Sequence, residues 1–173
     1  GILNNEGTEG NRASITGDVV IGQELDVDGV TVLSQGRVNA DGGDFANIDV
    51  QTGGQLLVRD ETDADVTVSG GDATIDDVLT GTLDVSDGTV ALITDPLNPT
   101  TGSVSGQTTV SGGVVDNAGS LLGGLDMTSG QVNNNITADA NGLINNAVNV
   151  TGGILNNEGT EGNRASITGD VVI

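Results

Sequence analysis

The chain has 173 residues, the size of a single domain, and sets 25 acidic residues against four arginines for a net charge of −21. It contains no His, Cys, Trp, Tyr or Lys and only one Phe (Phe45) and one Met (Met127), which excludes a Ser/His/Asp triad, a thiol nucleophile, an imidazole base and a zinc site of the usual ligands. Repulsion from phosphate and the lack of stacking aromatics argue against nucleic acid, and no apolar run approaches the ~18 residues of a membrane span. No enzyme is expected, and no membrane insertion.

Disorder is also argued against, because the apolar residues are Val, Ile and Leu in regular patterns. Residues 1–21, GILNNEGTEGNRASITGDVVI, recur without a change as residues 153–173. The period of 152 predicts a domain organisation in which 1–152 is one full tandem repeat unit and 153–173 starts the next identical one.

Within the unit a shorter pattern runs along the chain, a short alternating segment followed by a small turn that ends in Gly or Asp. Loose members fall at 13–18, 31–36 and 48–54. Clear ones follow: VTVSGG at 66–71, LDVSDG at 83–88, TTVSGG at 108–113, LDMTSG at 125–130 and VNVTGG at 148–153. Apolar residues sit three places before each turn end and, Thr31 and Thr108 excepted, five places before it, with Asp, Thr, Ser or Asn mostly between them, the period-2 signature of a strand buried on one face. A second apolar column resumes after the turn at Val38, Leu56, Val90, Val115, Val132 and Leu155. Turn ends spaced 17 to 25 residues apart predict an all-β fold, a right-handed parallel β-helix (β-solenoid) of about eight rungs per 152-residue repeat, roughly 38 Å long at the usual strand spacing. The longer intervals at 89–113, with Pro96 and Pro99, and at 131–153 predict projecting loops.

Two polar columns accompany the apolar ones. Thr16, Ser34, Ser69, Ser86, Ser111, Thr128 and Thr151 lie two residues before successive turn ends and predict a stacked hydroxyl ladder. The pairs Asn4-Asn5, Asn133-Asn134, Asn145-Asn146 and Asn156-Asn157 predict a second ladder. Acidic residues concentrate at Asp60, Glu61, Asp63, Asp65, Asp76 and Asp77, with Asp41 and Asp95 near the same column. Two readings stay open here. Either Asp60, Glu61, Asp63, Asp76, Asp77 and Asp95 hold Ca²⁺ through oxygen ligands, or they form a solvated acidic face. No cofactor is required on the second reading, and no catalytic residue is assigned on either.

The segments VTGGILNNEGT (150–160) and VSGGVVDNAGS (110–120) resemble the Gly/Asn/Thr-rich rungs of bacterial autotransporter passengers and haemagglutinin-type surface adhesins. The resemblance implies a parallel β-helix displayed outside the cell. The expected function is then a structural extracellular fibre or stalk segment built from tandem 152-residue repeats, in a cell-surface or matrix filament. The alternative is an adhesive binding module whose loops or acidic face contact a partner. The expected partner is the protein itself, through end-to-end stacking and lateral bundling by divalent cations.

Overall fold

The computed structural model describes residues 18–22, 26–27, 30–32, 36–94, 102–135, 141–159 and 165–173. All eighteen strands belong to one continuous sheet, and every pairing in it is parallel. The N-terminal strands are β1 (Asp18–Gly22), β2 (Asp26–Val27) and β3 (Val30–Val32), all of which pair with β4 (Arg37–Gln51). The long β5 (Gln55–Ile75) follows, then β6 (Val78–Leu79), β7 (Leu83–Leu92), β8 (Ser103–Val104) and β9 (Thr108–Val110). Short strands complete the sheet: β10 (Val114–Asn117), β11 (Ser120–Leu121), β12 (Leu125–Met127), β13 (Gln131–Asn134), β14 (Leu143–Ile144), β15 (Val148–Val150), β16 (Ile154–Asn157), β17 (Ser166–Ile167) and β18 (Val171–Val172).

The register falls into three ladders. One runs Val30, Ile48, Val66, Leu83, Thr108, Leu125, Val148, Val171, each residue the partner of the next. A second joins Val19, Val38 and Leu56, and continues through Ala73, Val90, Val115, Val132 and Leu155. The third passes through Thr62, Leu79, Val104, Leu121, Ile144 and Ile167. Alternation puts the apolar member of each pair inside, so that Ile48, Val68, Ile75, Leu83, Val110, Leu125 and Ile144 join one buried cluster around Phe45 and Met127. Each such aliphatic side chain removed from water contributes about 1.5–3 kcal/mol, and this burial is what holds strands of two or three residues in place.

The expected eight-rung β-helix per 152-residue repeat is corrected by this topology to a single continuous parallel sheet. The sequence reading ended a strand at each Gly turn. In the structure β5 runs 21 residues through Gly70 and Gly71, and β7 passes through Gly88. At these glycines the turn is absorbed as register shifts at Val68/Ser69 and Ser69/Asp72, the behaviour of β-bulges rather than of strand ends, whereas the turns at Gly53, Gly113, Gly130 and Gly153 do separate strands.

The repeat-based function is corrected with it. A chain of 173 residues holds one 152-residue length and 21 residues more, so it is not built from tandem 152-residue repeats, and the fibre or stalk inferred from them falls. Nor is a shift of 152 a symmetry of the fold. Val19 lies in the ladder of Val38 and Leu56, whereas Val171, the same residue one period on, lies in that of Val148 and Leu125.

Candidate functional site

Four features of the sheet are candidates for function: the acidic row, the hydroxyl column, the Asn ladders and the open C-terminal edge. On β5 the alternation of a half-buried strand places Glu61, Asp63 and Asp65 outward and exposed, with Thr62, Ala64 and Val66 buried between them. Register sets Asp60 beside Asp41 and Asp63 beside Asp44, so like residues do recur on neighbouring strands. The individual carboxylates, however, are engaged locally. Asp60 Oδ1 accepts from the Glu61 N–H at 2.9 Å, and Asp77, 9% exposed, accepts the Val78 N–H at 2.8 Å. Among the described residues no three acidic side chains converge as a metal ion requires. Asp95 lies outside the described residues.

Asp65 is the acidic residue with a distinct latch. The Thr82 N–H donates to its Oδ1 at 3.0 Å and the Thr82 hydroxyl at 2.8 Å, and these two bonds hold the carboxyl below its ordinary value of 3.8. The ionised form is the bonded one. Its contribution to stability is therefore present above 3.8 and lost as pH falls through the lowered folded value.

The predicted hydroxyl column is followed from Ser69 onward, Thr16 and Ser34 lying outside the described residues. Ser86, Ser111, Thr128 and Thr151 each follow a residue of the register series Val85, Val110, Met127, Val150. Their bonds run to main chain or carboxylate: Ser69 Oγ to Asp49 Oδ1 at 3.4 Å, Ser86 Oγ to Val68 O at 3.5 Å and Thr151 Oγ1 to Met127 O at 3.4 Å. The column is an exposed hydroxyl row on the sheet surface.

The Asn residues form two linked rows. In the inner one Asn117 Nδ2 donates to Asn134 Oδ1 at 2.7 Å, and Asn134 Nδ2 donates to Asn157 Oδ1 at 2.7 Å. The second amide proton of each goes to a carbonyl, Leu143 O at 3.0 Å and Ser166 O at 3.1 Å. Asn117 and Asn134 are fully buried, so these bonds avert a cost of about 1–3 kcal/mol for every unmatched group. The outer row links Asp116, Asn133 and Asn156 at 2.7 and 2.8 Å. Asn145 and Asn146 take no part in either row; Asn146 sits at φ 65 and donates to Leu122 O. The sequence reading missed Asn117, whose neighbour is Asp116 rather than a second Asn.

The inner ladder leads to β16, β17 and β18, which among the described residues pair only with β13, β14 and β15. Four of the five exposed large apolar residues among those described lie here: Ile154 at 56% exposure, Val171 at 46%, Val172 at 62% and Ile173 at 96%. The ladder partner of Val171, Val148, is fully buried. The apolar columns of the core thus continue onto exposed side chains at these strands, and exposed apolar strands are the kind that accept a further strand.

No family model, no curated protein and no solved structure matches the chain. The resemblance to autotransporter and haemagglutinin-type proteins stands on rung composition alone, within an all-β, parallel-sheet fold. Among the described residues no helix is long and apolar enough to cross a membrane.

Proposed function

We propose that this protein works by self-association rather than catalysis, the open edge of β16, β17 and β18 pairing strand to strand with a second copy. The observation that carries the reading is that, among the described residues, the apolar ladders of the core reach exposed Ile154, Val171 and Val172 on β16 and β18, beyond which no described strand pairs. Strand addition supplies about 0.5–1.5 kcal/mol net for each backbone hydrogen bond, together with burial of the valine and isoleucine side chains. It needs no nucleophile and no metal, which suits an outward chemistry of carboxylates, hydroxyls and amides.

Sedimentation equilibrium of the purified chain over a wide concentration range tests this. Concentration-dependent association is expected, and the double variant Val171→Lys/Val172→Lys is expected to stay monomeric while keeping its β-sheet circular dichroism, because lysines on an edge strand oppose pairing. A wild-type chain that is monomeric at every concentration overturns the reading.

A further inference from the structure

A backbone nitrogen reaches the preceding side chain most freely where an Asp or Asn is followed by Gly, because glycine brings no Cβ to obstruct the approach. The chain carries four such pairs, Asp28-Gly29, Asp41-Gly42, Asp87-Gly88 and Asn141-Gly142. Asp28-Gly29 lies outside the described residues, and Asp41-Gly42 runs inside β4. By chemistry alone Asn141 ranks above Asp87, since an amide expels ammonia more readily than a carboxyl expels water. The structure reverses that order. At Asn141 the attacking group is held elsewhere: the Gly142 N–H donates to Asn135 O at 2.7 Å, and Gly142 is buried. At Asp87 the Gly88 N–H donates at 2.8 Å to Oδ1 of the very carboxyl that it would attack, and Asp87 is exposed. The same fold-back recurs at Asp60-Glu61, Asp77-Val78 and Asn145-Asn146, at 2.9, 2.8 and 2.9 Å. In those three pairs the following residue carries a side chain, which hinders ring closure.

We propose that Asp87 is a self-modification site, which closes onto the Gly88 nitrogen as a succinimide and reopens to isoaspartate while the sheet stays folded. The Gly88 nitrogen bonds to Cγ of the Asp87 carboxylic acid, and the N–H proton and the carboxyl OH leave as water. Water then adds back to one of the two ring carbonyls. Cleavage of the N–Cγ bond restores aspartate, and cleavage of the bond from nitrogen to the main-chain carbonyl carbon gives isoaspartate, whose backbone runs through Cβ and Cγ. The stacking of the turns accounts for the readiness and the consequence alike. Gly88, at φ 87, is pressed between two other glycines: a Cβ on Gly88 would strike Gly71 O, and one on Gly113 would lie 2.7 Å from Gly88 O. The amide is pinned while the exposed carboxyl moves against it, the condition for a near-attack arrangement. The segments 69–71, 86–88 and 111–113 match in length, since Val68, Val85 and Val110 pair before them and Asp72, Thr89 and Val114 after them. The extra main-chain atom of isoaspartate has no counterpart in either neighbour, so the modification loosens this turn. The site is independent of self-association.

Prolonged incubation of the full chain, folded in buffer and unfolded in guanidinium chloride, tests this by peptide mapping. Deamidation of Asn141 replaces NH with O and shows as a mass gain. Isomerisation of Asp87 leaves the mass unchanged, but shifts the peptide in chromatography and blocks an Asp-specific protease at that residue. In the folded chain isoaspartate is expected to accumulate at Asp87 ~10-fold or more faster than Asn141 deamidates, and in the unfolded chain the order is expected to invert. Asp87→Glu, which would have to close a six-membered ring, is expected to abolish the modified peptide while keeping the β-sheet circular dichroism. The isomerised fraction, once separated, is expected to melt below the unmodified chain. Asn141 deamidation that keeps pace with Asp87 in the folded chain overturns the proposal, as does a folded chain in which Asp87 stays intact while it isomerises in guanidinium chloride. An isomerised fraction that melts together with the unmodified chain overturns the loosening of the turn.

Discussion

At the scale of single residues the sheet is economical with buried polar groups, and the exceptions are informative. Thr62 is fully buried in the third ladder, and its hydroxyl is answered by the Asp60 carbonyl at 2.9 Å. Thr108 is equally buried between Leu83 and Leu125, but its Oγ1 has no hydrogen-bond partner. An unmatched buried hydroxyl costs about 1–3 kcal/mol. Replacing it with the methyl group of valine keeps the shape and extends the apolar ladder of Val148, Leu125 and Leu83. Thr108→Val is thus expected to stabilise the protein by ~1 kcal/mol in urea unfolding, without a change in m-value. A destabilised variant would mean that the hydroxyl is satisfied in solution.

At the scale of elements, the close return of the chain to the same level places strict demands on glycine. A Cβ added at Gly106 would collide with the carbonyl of Gly81, and one at Gly123 with the carbonyl of Gly106. The backbones approach too closely there for any side chain. Gly106→Ala is expected to cost about 3 kcal/mol, whereas Ser105→Ala next to it, at an exposed position, is expected to change stability by less than about 0.5 kcal/mol. Paired thermal melts of the two variants check this contrast.

The elements also divide what the sequence makes legible from what it hides. The series Val50, Val68, Val85, Val110, Met127, Val150 reads off the turn alignment, and the structure makes each the register partner of the next. Three-residue strands before a fixed turn retain their period-2 pattern. The ladder through Leu79, Val104, Leu121 and Ile144 is not legible, because its strands have two residues each and lie in the stretch of variable length between turns. Two residues carry no periodicity. The bulges at Gln51 and Ser69 are hidden for a related reason: glycine marks a change of direction, but does not say whether the ladder breaks or slips. The duplicated 21 residues are plain in the sequence, yet identity cannot say which edge of a strand each copy uses.

At the scale of the whole molecule the charge governs behaviour. Twenty-five carboxylates against four guanidinium groups give a self-repulsion that the compact state concentrates and the unfolded chain relieves. The Debye length falls from about 30 Å at 0.01 M salt to about 8 Å at 0.15 M, so added salt removes repulsion between neighbouring strands before it weakens local contacts such as the bonds from Thr82 to Asp65. The midpoint of thermal unfolding is expected to rise by several degrees over that range and to level off above it. Screening of this kind depends on ionic strength and not on ion identity, whereas a bound Ca²⁺ would act by mass action at low concentration. Because no three acidic side chains converge among the described residues, melts with chelator and with millimolar Ca²⁺, matched in ionic strength, are expected to coincide. A midpoint that falls with chelator at fixed ionic strength would instead point to ion binding at the acidic row around Asp60, Glu61 and Asp63. The same screening lowers the barrier to bringing two such chains together, so association at the edge of β18 is expected to strengthen with salt in step with the melting midpoint.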